Sequence, residues 1–110
     1  MMTSLTIIVP VYNEENLVVE SLKRLDKVNI VDKVIIVDDC STDNSNKLIT
    51  NFILNKNKYL MIKTSKNSGK GKAIEAAQSM IDTDYVAFHD ADLVYFPEDL
   101  SKWYKKLHDN

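Results

Sequence analysis

Four short apolar runs constrain the fold of this chain more than anything else in it. They are Leu5-Thr6-Ile7-Ile8-Val9-Pro10-Val11, Val34-Ile35-Ile36-Val37, Tyr59-Leu60-Met61-Ile62 and Tyr85-Val86-Ala87-Phe88, and each stops abruptly in polar residues. The runs are continuous rather than alternating, which predicts strands buried on both faces, as in parallel sheets. Apolar residues at helical spacing lie between and after them: Leu17, Val18, Leu22 and Leu25; Leu48, Ile49, Phe52 and Ile53; Ala73, Ile74, Ala77 and Met80; Leu100, Trp103, Tyr104 and Leu107. The order β-α-β-α-β-α-β-α predicts an α/β fold. It is a Rossmann-like open parallel sheet with right-handed crossovers and strand order 3-2-1-4. At 110 residues the chain can bury one core, so residues 1–110 are read as a single domain.

Local signals refine the boundaries. Proline is poorly tolerated inside a central strand, so the first ladder is expected to end near Pro10. Asn13 reads as a helix N-cap with Glu14 and Glu15 in the first turn. Ser41 or Thr42 reads as the cap of the second helix. Pro97 suits a first helical position.

Composition removes several function classes. The formal net charge of −2 supplies no field for nucleic acid. A single cysteine, Cys40, allows neither an internal disulfide nor a cysteine-built metal site, and fits a reducing, cytoplasmic setting. The apolar run at residues 6–11 is too short for a signal peptide or a membrane span.

In a sheet of this order all four strand ends fall on one edge, where open α/β sheets bind ligands. That edge would collect Pro10, Tyr12, Asn13 and Glu14 from the first strand and Asp38 and Asp39 from the second. The loop at residues 65–72 follows the third strand, and Asp90 and Asp92 end the fourth. Two carboxylates one residue apart repel unless a cation sits between them. Mg²⁺ or Mn²⁺ carrying phosphate oxygens is the natural partner for Asp90 and Asp92, although Asp-x-Asp by itself also serves as a helix-capping turn. Tyr12 can stack on a base, and Asp38 or Asp39 can accept from base N–H or ribose hydroxyls. Gly69 and Gly71 can bring backbone amides to a phosphate, and Lys70 adds positive charge. Each has a plainer role as well: Tyr12 as a cover for the sheet edge, Asp38-Asp39 as turn residues. Gly69-x-Gly71 completes neither the dinucleotide nor the P-loop fingerprint. His89 should face away from Asp90 and is read as packing or as a support behind the site, and Cys40 as a small buried residue.

Four segments together resemble the family 2 glycosyltransferases of GT-A fold. They are Ile8-Val9-Pro10-Val11-Tyr12-Asn13-Glu14-Glu15, Val37-Asp38-Asp39-Cys40-Ser41-Thr42-Asp43, Asn67-Ser68-Gly69-Lys70-Gly71-Lys72-Ala73, and Asp90-Ala91-Asp92-Leu93 with Pro97-Glu98-Asp99-Leu100. The last looks most like the branch acting on polyprenyl or dolichyl phosphate. The resemblance implies an inverting, metal-dependent transferase whose partner is a nucleoside-diphosphate sugar. Pro10, Tyr12, Glu14, Asp38, Asp39, Lys70 and Asp90 would bind the donor, and Asp90 and Asp92 the Mg²⁺ or Mn²⁺. The acceptor would be a polyprenyl phosphate or a cell-surface glycan, reached at the cytoplasmic face of a membrane. The sequence departs from the family at Cys40, where glycine or another small or polar residue is usual, and at Val94, where polyprenyl-phosphate mannose synthases tend to carry a polar metal ligand. The resemblance also implies an acceptor-binding half and a general base beyond these residues, which makes the chain a truncated GT-A fold. Two expectations follow: self-association through an uncovered sheet edge and, as an alternative function, a non-catalytic nucleotide-sugar binding or assembly module. A receiver domain fits poorly, since its acid pair would end the first strand.

Overall fold

A computed structural model describes residues 4–67 and 69–89 of the chain. Its elements run β1 (Leu5–Val11), α1 (Val18–Leu25), β2 (Lys33–Asp38), α2 (Ser45–Ile53), β3 (Tyr59–Lys63), α3 (Lys70–Ala77), a 3₁₀ turn (Gln78–Met80) and β4 (Tyr85–Phe88). The sheet order is β3-β2-β1-β4 with every pair parallel, as the alternation of runs predicts. The expected last helix, from Pro97 onward, lies outside the described residues.

Side-chain alternation splits the core between the two faces of the sheet. Leu5, Ile7, Val9 and Val11 of β1 lie on one face with Val34, Ile36 and Ala87, covered by Val18, Leu22 and Leu25 of α1 and Ile49 of α2. Ile8, Ile35 and Val37 lie on the other face under Ala77 of α3. β1 and β2 are the inner strands and are buried along almost their whole length, which is why their sequences read as unbroken apolar runs. The one polar residue inside β1, Thr6, is buried and shares a 2.6 Å hydroxyl–hydroxyl hydrogen bond with Thr83. At the opposite end of the sheet from the strand C-termini, Asp26 accepts from the Tyr59 hydroxyl at 2.8 Å and pairs with Lys56 and Lys58. That contact fastens the end of α1 to the start of β3.

β1 ends at Val11, one residue past Pro10 and so near it as expected, with Pro10 opposite Val37 and Val11 opposite Asp38. The ladder accommodates Pro10 because hydrogen-bond direction alternates in parallel ladders. The carbonyls of Leu5 and Val11 accept from the β2 side, from Asp32 and Asp39, whereas those of Ser4 and Ile8 accept from Tyr85 and His89 on the β4 side. By the same alternation Pro10 turns its nitrogen toward β4, beyond the last β1–β4 pair, Ile8 with Phe88. The missing N–H therefore removes no β1–β2 bond.

Candidate functional site

β1, β2 and β3 reach the same edge together. The amide of Asp39 donates to the Val11 carbonyl at 2.8 Å, and that of Thr64 to the Asp38 carbonyl at 2.9 Å, so the ladder extends just past each strand end. Three connecting loops start side by side there.

Asp38 and Asp39 serve different neighbours. Asp38 is fully buried; Oδ1 accepts from the Ser41 amide at 3.0 Å and Oδ2 from Asn46 Nδ2 at 2.9 Å. It shapes the turn into α2. Asp39 is 3% exposed and reaches the other way. Its Oδ1 accepts from the Thr64 hydroxyl at 2.8 Å and its Oδ2 from the Gly69 amide at 2.8 Å. One buried carboxylate thus holds both ends of the loop joining β3 to α3.

Gly69 has φ +90°, and a Cβ built there would meet nothing within 4 Å. Glycine is required here for backbone conformation, not for space. Its amide donates to Asp39, so the expected presentation of this N–H to a phosphate is not what the structure holds. Lys70 is the first residue of α3, one residue after this bond. Lys72 forms an exposed 3.7 Å pair with Glu75.

Asn13 is not an N-cap. α1 begins at Val18, and no side chain caps it. Asn13 instead adopts a left-handed backbone, φ +51°, and its side chain crosses to the loop after β2. Oδ1 accepts from the Thr42 amide at 2.8 Å and the Asp43 amide at 3.3 Å, and Nδ2 donates to the Thr42 hydroxyl at 3.2 Å. The backbones answer in kind. The amides of Asn13, Glu14 and Glu15 donate to the hydroxyls of Ser41 and Ser45 and the carboxylate of Asp43, at 3.0, 2.8 and 3.2 Å. The Asn44 amide donates to Glu15 at 3.2 Å. Burial opposes ionisation of Asp43, but hydrogen bonds from the Ser45 hydroxyl and from the amides of Ser45 and Glu15 outweigh it. They hold the carboxyl below the usual carboxylate range. Neither Ser41 nor Thr42 caps α2, which begins at Ser45; Asp43 Oδ1 takes the Ser45 amide at 2.9 Å. The sequence signal for Asn13 is ambiguous, since Asn before two glutamates reads as a cap. The hydroxyl-rich stretch Ser41-Thr42-Asp43 is the only hint of its distant partners.

Tyr12, the first residue of the loop after β1, is 41% exposed, as a residue available to a ligand must be. Cys40 has φ +63°. The turn after Asp39 is left-handed, and a side chain there carries a steric cost. Cys40→Gly is therefore expected to stabilise the chain by about 1 kcal/mol, read as a higher urea midpoint at unchanged slope. A lower midpoint would mean that the 3.8 Å contact from the thiol to the Ser65 carbonyl outweighs the backbone strain.

His89 is buried, with Nε2 2.8 Å from the Ser21 hydroxyl of α1. It packs β4 against that helix. Asp90 and Asp92 lie outside the described residues. Among the described residues no group of three or more His, Cys, Asp or Glu side chains forms a metal cage, and no helix is long and apolar enough to cross a membrane.

Residues 6–110 match the family model described as Glycosyl transferase family 2. The chain is 32% identical over 102 residues to an undecaprenyl-phosphate 4-deoxy-4-formamido-L-arabinose transferase of Proteus mirabilis, covering 88% of this chain and 31% of that protein. Among solved structures it resembles residues 1–349 of Staphylococcus aureus TarS in complex with UDP-GlcNAc. There the TM-score is 0.81 at 30% identity, over 97% of this chain and 31% of that one. A mannosyltransferase of Pyrobaculum calidifontis in complex with GDP-Man and Mn²⁺ shares the fold. Its TM-score is 0.80 at 24% identity, over 90% of this chain and 30% of that one. The chain spans less than half the length of the curated relatives it matches.

Proposed function

Since the chain belongs to glycosyl transferase family 2, we propose that residues 1–110 form the nucleotide-sugar-binding half of a GT-A transferase domain, with the donor seated at the ends of β1, β2 and β3. The observation that carries this is Asp39. A nearly dry carboxylate, fixed from two sides by Thr64 and Gly69, is a preorganised acceptor for a base or ribose donor. Tyr12 covers the base, and Pro10 and Glu14 flank it. Asp38 fixes the turn that carries Asp39, and Lys70, the first residue of α3, is the proposed positive charge for the phosphates.

Asp90 and Asp92 are the proposed ligands of a divalent ion. Two carboxylates suit Mg²⁺ or Mn²⁺, which keep further positions for phosphate oxygens. When bound, such an ion supplies charge neutralisation to the departing nucleoside diphosphate. The transfer we propose is an in-line, inverting attack of an acceptor oxygen on the anomeric carbon. The acceptor class is a polyprenyl phosphate or a cell-surface glycan, as the Proteus mirabilis and Staphylococcus aureus relatives suggest. With a polyprenyl acceptor the reaction would run at the cytoplasmic face of a membrane. The outer edges of β3 and β4 pair with no strand among the described residues, and Leu60 and Phe88 on them are exposed. We propose self-association there.

Calorimetric titration with UDP-GlcNAc and GDP-mannose, with and without Mn²⁺, tests the reading. Binding of one donor, strengthened by Mn²⁺ and no longer strengthened in Asp92→Asn, supports it. Binding unaffected by both metal and Asp92→Asn would remove the Asp-x-Asp assignment. No binding by the folded chain would remove the donor site itself.

A further inference from the structure

Asn13 stands between the two walls of the proposed crevice and touches both. We propose that it is a positioning residue: its side-chain amide fixes the loop after β1, which carries Tyr12, against the loop after β2, which carries Asp38 and Asp39. This rests on the donor-site reading above and adds a residue to it.

The geometry is specific. Oδ1 collects the consecutive amides of Thr42 and Asp43 while Nδ2 engages the Thr42 hydroxyl. Ser41, the next residue toward the acids, is held on both sides: its amide by Asp38 and its hydroxyl by the Asn13 amide. A continuous path of hydrogen bonds therefore runs from the Asp38 carboxylate through Ser41 to Asn13, the residue after Tyr12. Nothing apolar joins these loops at this point: Asn13 and Thr42 are exposed and Ser41 and Asp43 half-buried. The relative placement of Tyr12 and the two acids thus depends on polar contacts. Asparagine also tolerates the left-handed backbone at φ +51° better than most residues do. Asn13 therefore has two separable properties, a backbone conformation and a bridging amide.

Three variants separate them. Asn13→Gly keeps the left-handed backbone and loses the bridge. Asn13→Asp keeps the short side chain and the acceptor oxygen that takes the Thr42 and Asp43 amides. Asn13→Ala loses both. The first readout needs no ligand. Amide exchange at Thr42 and Asp43 should accelerate by about tenfold or more in Asn13→Ala and Asn13→Gly, and stay close to the unaltered rate in Asn13→Asp. The second is titration with UDP and with GDP in Mn²⁺. For whichever nucleotide the unaltered chain binds, affinity should fall about tenfold in Asn13→Gly and Asn13→Ala, with Asn13→Asp within about threefold of the unaltered chain. Full affinity in Asn13→Gly would overturn the proposal and leave only a backbone requirement. So would unchanged exchange at Thr42 and Asp43. A folded, unaltered chain that binds neither nucleotide would fail the donor-site reading itself, and the positioning role with it, whatever the exchange data show.

Discussion

Asp39→Ala is expected to lower nucleotide affinity by about a hundredfold or more, because it removes a buried charged acceptor and takes that acceptor from two internal donors, each loss worth about 1–3 kcal/mol. Those donors are the Thr64 hydroxyl and the Gly69 amide, which keep only the Lys66 carbonyl and the Asn67 side chain. The substitution therefore acts twice. It deletes a contact for the ligand, and it releases both ends of the loop that leads into α3 and Lys70. Asp39→Asn separates the two effects. Its amide group can still donate to Thr64 and its carbonyl can still accept from Gly69, so the loop stays in place while the negative charge is lost. That variant is expected to bind about tenfold more weakly than the unaltered chain, not a hundredfold. Calorimetric titration of the three proteins reads out the difference. Equal affinities in all three would show that Asp39 is only a structural acceptor between β2 and the neighbouring loop.

The second large effect is on stability. Ile36 is fully buried in the inner strand β2, between Val9 of β1 and Met61 of β3, on the face covered by α1 and α2. Ile36→Ala is expected to cost about 2–5 kcal/mol, since it leaves a cavity that three strands cannot close by relaxing. Ile36→Val should cost only about 0.5–1.5 kcal/mol. Total stabilities of single domains are about 5–15 kcal/mol, so the alanine variant removes a large share and its urea midpoint should fall accordingly. A cost below about 1 kcal/mol for Ile36→Ala would mean that this face is not packed as described.

The strands were legible because burial on both faces leaves no room for polar alternation. The run at residues 34–37 and its neighbour in β1 could be read as inner strands, and the topology rules then placed their ends on one edge. What could not be read was how that edge is wired. Asn13 followed by Glu14-Glu15 carries the signature of a helix cap. Only the three-dimensional approach of Thr42, nearly thirty residues later in the chain, shows that its amide is spent across the crevice. The Gly69 amide gave the same false lead. Glycine beside lysine suggests an open phosphate cradle, yet Asp39 already takes the N–H. Pro10 marked the end of β1 to within one residue, but which ladder it could interrupt depends on which side its nitrogen faces, and that follows from register rather than from residue type. Cys40 gave no sign of a left-handed turn, because the residue that usually announces one, glycine, is absent.

The proposed donor site seats a nucleotide at the joined ends of β1, β2 and β3. The most direct test is mapping of amide chemical-shift changes on the isotope-labelled chain as UDP or GDP is added with Mn²⁺. A nucleotide seated there should give the largest changes at Tyr12, Asp39, Thr64 and Gly69, with the Asp26–Tyr59 end of the sheet silent. Changes centred on that opposite end, or spread evenly over the surface, would contradict it.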